Sequence, residues 1–514
     1  MKTPAEQTTS LWMATEKRPT YGPLKENQRA DVCVVGAGIA GLSTAYHLMK
    51  LGYAVIVLDD GPIGGGQTQR TTAHLSNAID DRFFEMERLH GQEGSKLAAE
   101  SHGAAIDRIE SIVRDQAIDC DFERLDGYLF PSEKHNQELL QREMEAAHRA
   151  GLKDVEMIRR APVASFDTGP CLRFPRQGQF HPLKYLSGLA RSLLGQGCRI
   201  YSGSHAQSIK GGAPAKVEVK GGFSVVCDHV VVATNTPIND MLAIHTKQAP
   251  YATYAIGVAI PKGSVPHALY WDTGYSEDAN AYHYVRVAPD VDAATEVLVV
   301  GGEDHKTGQA TDTQERFGRL LEWTKKRFTM AGAVRFQWSG QVMESIDGLA
   351  FIGRNPGDDE NVYVATGDSG MGMTHGTIAG MLISDLIAKR ESPWAALYDP
   401  SRKKVKAVGE FAYENLNVAW QYKDWVTSGD ISSPDDLKPG QGAVMRRGLG
   451  KVTLYRDEKG SLTECTATCP HMGCIVHWNV TEKTFDCPCH GSRFDKHGRV
   501  VIGPANSDLA KREE

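Results

Sequence analysis

A glycine-rich turn near the N-terminus constrains the fold of this 514-residue chain more than any other feature. The turn, GAGIAG (36–41), follows a β-branched run at 31–35 and precedes a helical pattern that ends at Gly52. A second apolar run, YAVIVLDD (53–60), comes next. Strand, turn, helix and strand in this order form a βαβ unit, which requires a parallel sheet. The sequence therefore predicts a doubly wound, Rossmann-like α/β domain.

The spacing of the glycines in this turn is typical of dinucleotide binding. Gly36 permits a tight turn, Gly38 lets the backbone approach a pyrophosphate, and Gly41 allows close packing of helix on strand. The N-terminus of the following helix offers free N–H groups to phosphates. Asp59 ends the second strand, where a carboxylate accepts hydrogen bonds from a ribose. A glycine-rich turn of another α/β protein is the alternative, but the strand, helix and acid together favour a dinucleotide.

The ten cysteines are unevenly distributed along the chain. Five are scattered over the first half, and five crowd into one C-terminal stretch: Cys465, Cys469, Cys474, Cys487 and Cys489. In a cytosolic chain, such crowding indicates a metal site more often than a disulfide scaffold.

Two C-terminal loops, CPHMGC (469–474) and CPCHGSRF (487–494), each offer one cysteine and one histidine. The candidate ligands are Cys469, His471, Cys487 and His490. Two thiolates on one iron and two imidazoles on the other form the Rieske 2Fe–2S arrangement. Zinc also binds two cysteines and two histidines, but its usual spacings place like ligands together. The pattern favours the cluster, and the neighbouring HWN, GSRF and GPA segments also resemble the Rieske fold.

Composition narrows the classes of partner. The hydrophobic fraction of 41% and charged fraction of 24% are those of soluble globular chains. A net charge of −7 without a basic tract argues against nucleic-acid binding. No apolar run approaches the roughly 18 residues of a membrane span, and the N-terminal residues lack the apolar core of a secretion signal. We expect a cytoplasmic protein.

Several further motifs resemble those of the D-amino-acid oxidase-like FAD family, which includes glycine oxidase and γ-glutamylputrescine oxidase-like members. They are the loop GPIGGGQTQRTTAHLSNA (61–78), the strand SIDGLAFIG (345–353), the late glycine-rich turn and helix at 367–387, and the start SLW…PTYGPL. The resemblance covers about the first 400 residues. It implies that FAD is contacted by Gly36, Gly38, Gly41, Asp59, Thr72, Gly370 and Gly372.

The domain organisation follows from the same observations. Buried-strand runs at 229–235 and 361–368 return to the first sheet after mixed segments, which predicts an α/β FAD-binding domain interleaved with an α+β substrate domain. A polar, turn-rich stretch after Trp425 predicts a linker, and the short β-like runs beyond it predict a small all-β Rieske domain. The expected division is an FAD-dependent region at 28–425 (FAD-binding parts about 28–105, 175–240 and 335–400; substrate parts about 106–174 and 241–334), a linker at 426–440 and a Rieske domain at 441–514.

The resemblance to Rieske proteins of respiratory cytochrome complexes adds detail to the cluster site. In those proteins, cysteines at the positions of Cys474 and Cys489 form a disulfide, and two free buried thiols are the alternative here. Ser492 matches the serine that hydrogen-bonds a bridging sulfur. Phe494 stands where high-potential members have a tyrosine, so a lower potential is expected.

Candidates for the substrate pocket come from the run AYHYVRV (281–287). Strand alternation places Tyr282, Tyr284 and Arg286 on one face. There the Arg286 guanidinium could bind a substrate carboxylate through two parallel hydrogen bonds. The alternative is a solvated face with ordinary aromatic packing. His375 begins a helix expected near the flavin and is as compatible with a structural role as with a catalytic one. These residues are candidates only, and no catalytic residue is assigned.

The two cofactors together predict a function. A reduced flavin holds two electrons, whereas a Rieske centre accepts one at a time. We expect FAD-dependent oxidation of the C–N bond of an amine or amino acid, with electrons passed through the cluster to an external acceptor. Two alternatives remain: an oxidase that uses oxygen, with an incidental or regulatory cluster, and a redox sensor or electron carrier without a turnover substrate.

Overall fold

The apolar run after the first glycine-rich turn becomes part of a six-stranded sheet. A computed structural model of the chain describes residues 7–132, 137–239, 244–274, 282–290, 292–403 and 405–512. The strand order of this sheet is Phe351–Arg354, Val362–Thr366, His229–Val232, Val32–Val35, Val55–Leu58 and Arg199–Tyr201. All neighbours pair in parallel except the first two, which are antiparallel. The predicted βαβ unit is confirmed.

The two faces of this sheet pack against different layers. Val32 and Val34 contact the core shared with the helices Ile39–Lys50 and Gly372–Ile387. Cys33 points to the opposite face, because side chains alternate along a strand. That face is covered by a four-stranded sheet rather than by helices, formed by Gln28–Arg29, Ser224–Cys227, Ala215–Val219 and Ala206–Lys210.

A nine-stranded, mainly antiparallel sheet forms the second domain. Its strands are Val334–Ser345, Gln248–Pro261, Thr295–Lys306, Tyr284–Pro289, Leu269–Asp272, Glu123–Phe130, Cys171–Gln179 and His74–Leu75, with Glu156–Ile158 paired to Cys171–Gln179. The strand Val334–Ser345 belongs here, although the sequence division placed residues from 335 onward in an FAD-binding part. Its antiparallel pairing with Gln248–Pro261 is a long-range contact that a local pattern does not reveal.

The remaining helices surround these sheets. They are Leu11–Thr15, Phe83–Asp115 (broken at Gly91, φ 75°), Gln137–Arg149, Pro182–Gly195, Glu315–Arg327, Ala395–Tyr398 and Val408–Gln421. Short 3₁₀ turns lie at Gln67–Arg70, His245–Lys247, Val405–Ala407, Tyr422–Trp425 and Pro434–Asp436. Among the helices of the described ranges, none combines the length and apolarity needed to cross a bilayer.

The C-terminal part is all-β, as predicted. A three-stranded sheet contains Gly442–Arg447, Gly450–Arg456 and Leu462–Thr466, and a four-stranded sheet contains His477–Asn479, Thr484–Asp486, Arg493–Asp495 and Val500–Ile502. Part of the predicted linker packs onto this module, because Ile431 bridges to Met445 and contacts the core around Val452.

A buried ion pair fastens the C-terminal domain to the rest of the chain. The Arg70 guanidinium lies 3.2 Å from the Glu482 carboxylate, and their side chains are 1% and 0% exposed. Ser339 Oγ donates to the same carboxylate at 2.6 Å, and the Thr8 backbone N–H donates at 3.1 Å. Burial opposes ionisation of Glu482, but Arg70 and these hydrogen bonds outweigh it and lower its pKa.

We expect Glu482→Ala to lower the free energy of unfolding by about 3–5 kcal/mol, because it leaves the Arg70 charge buried without its partner. The lowered pKa adds a pH signature: the contribution is present above the unfolded-state pKa near 4.3 and is lost as the pH falls through the folded-state value. Thermal melting at neutral pH measures the effect. Asp115→Asn, which removes an exposed ion pair with Arg114, is the matched control. Equal melting temperatures for wild type and Glu482→Ala would contradict this role.

Candidate functional site

A cavity of about 350 Å³ lies between the glycine-rich turn, the nine-stranded sheet and the C-terminal domain. Six of the seven residues predicted to contact FAD line it: Gly36, Gly38, Asp59, Thr72, Gly370 and Gly372. Gly41 lies beneath the turn. The C-terminal domain contributes the segment 500–503, Ala505 and Asn506, which the sequence did not associate with this site.

The glycines of the turn occupy positions that a side chain could not enter. Gly36 has φ +107°, and a Cβ there would lie 2.3 Å from the carbonyl oxygen of Ala233. A Cβ at Gly41 would lie 1.8 Å from the carbonyl oxygen of Gly36. The helix therefore packs directly on the turn, and its N-terminal end faces the cavity.

The acid at the end of the second strand braces the same turn. Asp59 Oδ2 accepts a hydrogen bond from the Ala37 N–H at 2.6 Å, and Oδ1 accepts one from the Gly61 N–H at 2.7 Å. Burial and the neighbouring Asp60 raise the pKa of Asp59 to about 6. Each oxygen keeps a second lone pair, so the position remains suited to a ribose hydroxyl.

Arg286 does not take the role expected from the sequence. Its Nη1 donates to the carbonyl oxygens of Thr72 at 3.2 Å, Ala73 at 2.7 Å and Phe180 at 3.1 Å. Its guanidinium also lies 5.1 Å from the Trp12 ring, and it is not among the described residues that line the cavity. Arg286 therefore holds the 72–73 loop in place through Nη1, and strand alternation could not reveal these backbone acceptors.

The other two candidates do line the cavity. The Tyr284 hydroxyl forms a hydrogen bond with the Thr253 hydroxyl, at an O–O distance of 2.7 Å. His375 Nδ1 donates to the Asp368 carbonyl at 2.9 Å, and burial lowers the pKa of His375 to about 4. The histidine is therefore neutral at pH 7 and fixed by the backbone, which favours a structural role. Ala281, the first residue of the AYHYVRV run, lies outside the described residues.

Besides Asp59 and Asp60, five carboxyl groups line the cavity and were missed by the sequence analysis: Asp80, Asp81, Asp304, Glu344 and Asp368. They come from distant parts of the chain. Asp304 and Glu344 stand on strands of the nine-stranded sheet, and Asp368 precedes the late helix. Only Asp80 and Asp81 are adjacent in sequence, so only they form a local pattern that could have suggested an acidic site.

The two cysteine–histidine loops have the same backbone structure. In the first, the Cys469 N–H donates to the Cys474 carbonyl at 2.8 Å, and the Cys469 carbonyl accepts from Gly473 at 2.9 Å. In the second, the Cys487 N–H donates to the Ser492 carbonyl at 2.8 Å, and the Cys487 carbonyl accepts from Gly491 at 3.1 Å. Both glycines have φ near +78°, at +78° and +79°, which only glycine adopts easily.

These loops bring the four predicted ligands together. The His471 and His490 rings lie 5.0 Å apart. A hydrogen bond from the Cys487 thiol lowers the pKa of the Cys469 thiol to about 7. His490 Nδ1 is buried and has no hydrogen-bond partner among the described residues, as a ligand nitrogen would. This donor set fits a Rieske cluster.

The disulfide that the resemblance to Rieske proteins implies is present: it joins Cys474 and Cys489, whose Cα atoms lie 6.5 Å apart. The sulfurs of Cys474, Cys487 and Cys489 all lie within 4.8 Å of one another. Two of them are bonded to each other, so these three do not form a metal site. The disulfide instead joins the two loops.

Ser492 and Phe494 lie beside the loops. Ser492 Oγ accepts from the Ala505 N–H at 3.0 Å and hydrogen-bonds to the Cys469 side chain. Phe494 is 0% exposed and carries no hydroxyl, so this position offers no hydrogen bond to a cluster or its ligands.

Comparison with known proteins assigns both parts of the chain. Residues 31–386 match the family model of FAD-dependent oxidoreductases. The chain belongs to this family. Residues 428–513 match the Rieske [2Fe–2S] domain, a match that begins inside the predicted linker. The protein is thus an FAD-dependent oxidoreductase with a C-terminal Rieske domain, and its cofactors are FAD and a 2Fe–2S cluster.

Individual relatives agree with this assignment. The protein YhfW of Bacillus subtilis (strain 168) is 30% identical over 506 residues, which cover 97% of this chain and 96% of YhfW. γ-Glutamylputrescine oxidoreductase of Escherichia coli (strain K12) is 28% identical over 394 residues, covering 74% of this chain and 89% of that enzyme. The crystal structure of glycine oxidase from Geobacillus kaustophilus shares the fold, with a TM-score of 0.59 at 17% identity, over 73% of this chain and 100% of that one. The predicted fold class is confirmed.

Proposed function

We propose that the enzyme oxidises a C–N bond of an amine or amino acid and passes the electrons through the Rieske cluster to an external one-electron acceptor. Cys469, His471, Cys487 and His490 are the proposed cluster ligands. The glycine-rich turns, Asp59 and Thr72 are the proposed FAD contacts, with Gly41 supporting the turn from below.

One residue carries the proposal, because it belongs to both sites. Gln341 lines the flavin cavity, and its Nε2 donates a hydrogen bond to the Gly491 carbonyl at 3.0 Å. Gly491 lies next to His490 in the second cluster loop. Gly491 also packs directly against the nine-stranded sheet, since a Cβ on Gly491 would lie 2.5 Å from Pro250 Cβ. A single side chain therefore links the cavity wall to the loop that holds the cluster.

The cluster histidines face the oxidoreductase part of the chain. The buried His245 ring lies 4.8 Å from His471 and 5.8 Å from His490. Tyr422 OH donates to the Met472 carbonyl at 2.6 Å, and Trp425 Nε1 donates to the Gly473 carbonyl at 3.0 Å. Together with the Arg70–Glu482 ion pair, these contacts support a fixed arrangement of the two sites.

The overall reaction balances over two stages. As the C–N single bond becomes C=N, the substrate loses two electrons and two protons. The electrons pass to the flavin, and the protons are finally released to solvent. Two molecules of a one-electron acceptor then return the protein to its oxidised form. Histidine ligation places Rieske centres between roughly −150 and +300 mV, which favours transfer from a reduced flavin.

A variant without the cluster separates this proposal from the oxidase alternative. We expect Cys487→Ser to be reduced by an amine substrate as wild type is, yet to reduce a one-electron acceptor such as ferricyanide or cytochrome c far more slowly. Steady-state turnover with such acceptors and with oxygen is the measurement. If Cys487→Ser turned over as fast as wild type with every acceptor, the cluster would not be the electron outlet and the oxidase hypothesis would replace it.

A further inference from the structure

Five of the carboxyl groups that line the flavin cavity, all outside the glycine-rich turn, have little positive charge to balance them. Among the described residues, no Lys or Arg forms an ion pair within 4.0 Å of Asp80, Asp81, Asp304, Glu344 or Asp368. Two cations act on the group at longer range, and each also has another partner. The charge of Arg82 opposes the rise in the pKa of Asp80 and Asp81, and Arg82 donates to the Asp272 carbonyl at 3.4 Å. The charge of Arg316 opposes the rise in the pKa of Asp304, and Arg316 pairs with Asp312 at 3.0 Å.

Two oxygens in this group also lack a hydrogen-bond donor. Asp304 Oδ1 and Asp368 Oδ1 are buried and have no partner among the described residues. An unsatisfied buried carboxylate oxygen is costly. A ligand that carried N–H donors into the cavity would satisfy both.

Glu344 interacts electrostatically with the other four members of the group. Burial, followed by the charges of Asp81, Asp80, Asp368 and Asp304, raises its pKa well above the usual value. Burial likewise raises the pKa of Asp304 to about 7 and that of Asp81 to about 7. Such mutual repulsion is relieved when a cation enters.

The walls beside the carboxyl groups are aromatic. Tyr282 hydrogen-bonds to Asp80, and its ring lies 5.4 Å from that of Tyr284. Both line the cavity. Tyrosine faces accept alkyl chains and attract ammonium groups. The site therefore offers an apolar wall next to several carboxyl groups, which an entering ammonium group would hold in their ionised form.

We propose that the substrate is an aliphatic amine with two or more ammonium groups, and that Glu344, Asp304 and Asp368 bind the ammonium groups that do not react. This inference names the substrate class of the proposed function and rests on it. It replaces the expectation of an acid-bearing amine, because Arg286 does not line the cavity among the described residues and a substrate carboxylate would meet further carboxyl groups there.

Calorimetric titration of the anaerobic holoenzyme tests the inference without requiring turnover. The probes are spermidine, 1,4-diaminobutane, butylamine and 4-aminobutyrate. We expect the two polyammonium probes to bind more tightly than butylamine, and 4-aminobutyrate to bind least. Glu344→Gln removes one charge-assisted contact at nearly constant shape, so it should weaken spermidine binding about ten- to a hundredfold.

The control variant is Glu360→Gln, the same change at an exposed position, which should bind all four probes as wild type does. Tighter binding of 4-aminobutyrate than of 1,4-diaminobutane, or equal loss of spermidine and butylamine binding in Glu344→Gln, would overturn the inference.

Flavin absorbance in the same samples separates the two proposals. Glu344-dependent spermidine binding without flavin bleaching would leave the ligand class intact and contradict amine oxidation. Bleaching by other amines without binding of the polyammonium probes would support amine oxidation and contradict the proposed ligand class.

Discussion

Gly41→Val is expected to yield protein without FAD that still contains its iron–sulfur cluster. The new Cβ would lie 1.8 Å from the Gly36 carbonyl oxygen and 2.9 Å from its carbon, so the helix must move away from the turn. The turn then loses the geometry that receives a pyrophosphate. Absorbance of released flavin after denaturation measures the loss, and the EPR signal reports the cluster.

Gly318→Ala is the matched control, since a Cβ at this helical position meets nothing within 4 Å. It should retain FAD. A Gly41→Val protein with the wild-type FAD content would show that the turn is not the nucleotide site. Release of NAD instead of FAD from wild type would contradict the cofactor assignment.

His471→Ala and His490→Ala are each expected to abolish the EPR signature of a histidine-ligated 2Fe–2S centre while leaving flavin absorbance. Each removes a proposed nitrogen ligand, and cysteine thiolates alone do not reproduce the Rieske arrangement. Wild type should contain two irons and two inorganic sulfides per chain.

His477→Asn provides the control within the same domain, because His477 hydrogen-bonds to Asp424 at 2.9 Å and lies outside both loops. Its EPR signal should persist. Stoichiometric zinc without labile sulfide in wild type would refute the cluster assignment, and an unchanged signal in His490→Ala would refute this ligand.

The features that could be predicted from sequence were those set by short-range pattern. The βαβ unit, the glycine turn and the two cluster loops each lie within a few tens of residues, so spacing alone indicated their chemistry. The disulfide between Cys474 and Cys489 came from the resemblance, and the structure contains it. The all-β C-terminal domain also followed from short strands separated by turn residues.

The features that could not be predicted depend on contacts between distant segments. Arg286 lies two residues after Tyr284 and therefore on the same face of its strand. The carbonyls that bind Arg286, however, belong to residues 72–73 and 180. Likewise, Asp80, Asp304 and Glu344 share a cavity although more than 200 residues separate the first from the second. The Gln341–Gly491 contact joins two domains, and no local pattern at either residue indicates it.

The most direct test of electron transfer between the two sites is anaerobic rapid mixing of wild type with a reducing amine. Flavin absorbance and freeze-quenched EPR are followed in the same reaction. We expect flavin absorbance to fall first and the Rieske signal then to grow as flavin absorbance partly recovers. Gln341→Leu should slow this second phase and leave the first unchanged. A flavin that stays fully reduced beside an oxidised cluster, and that only oxygen reoxidises, would contradict this expectation.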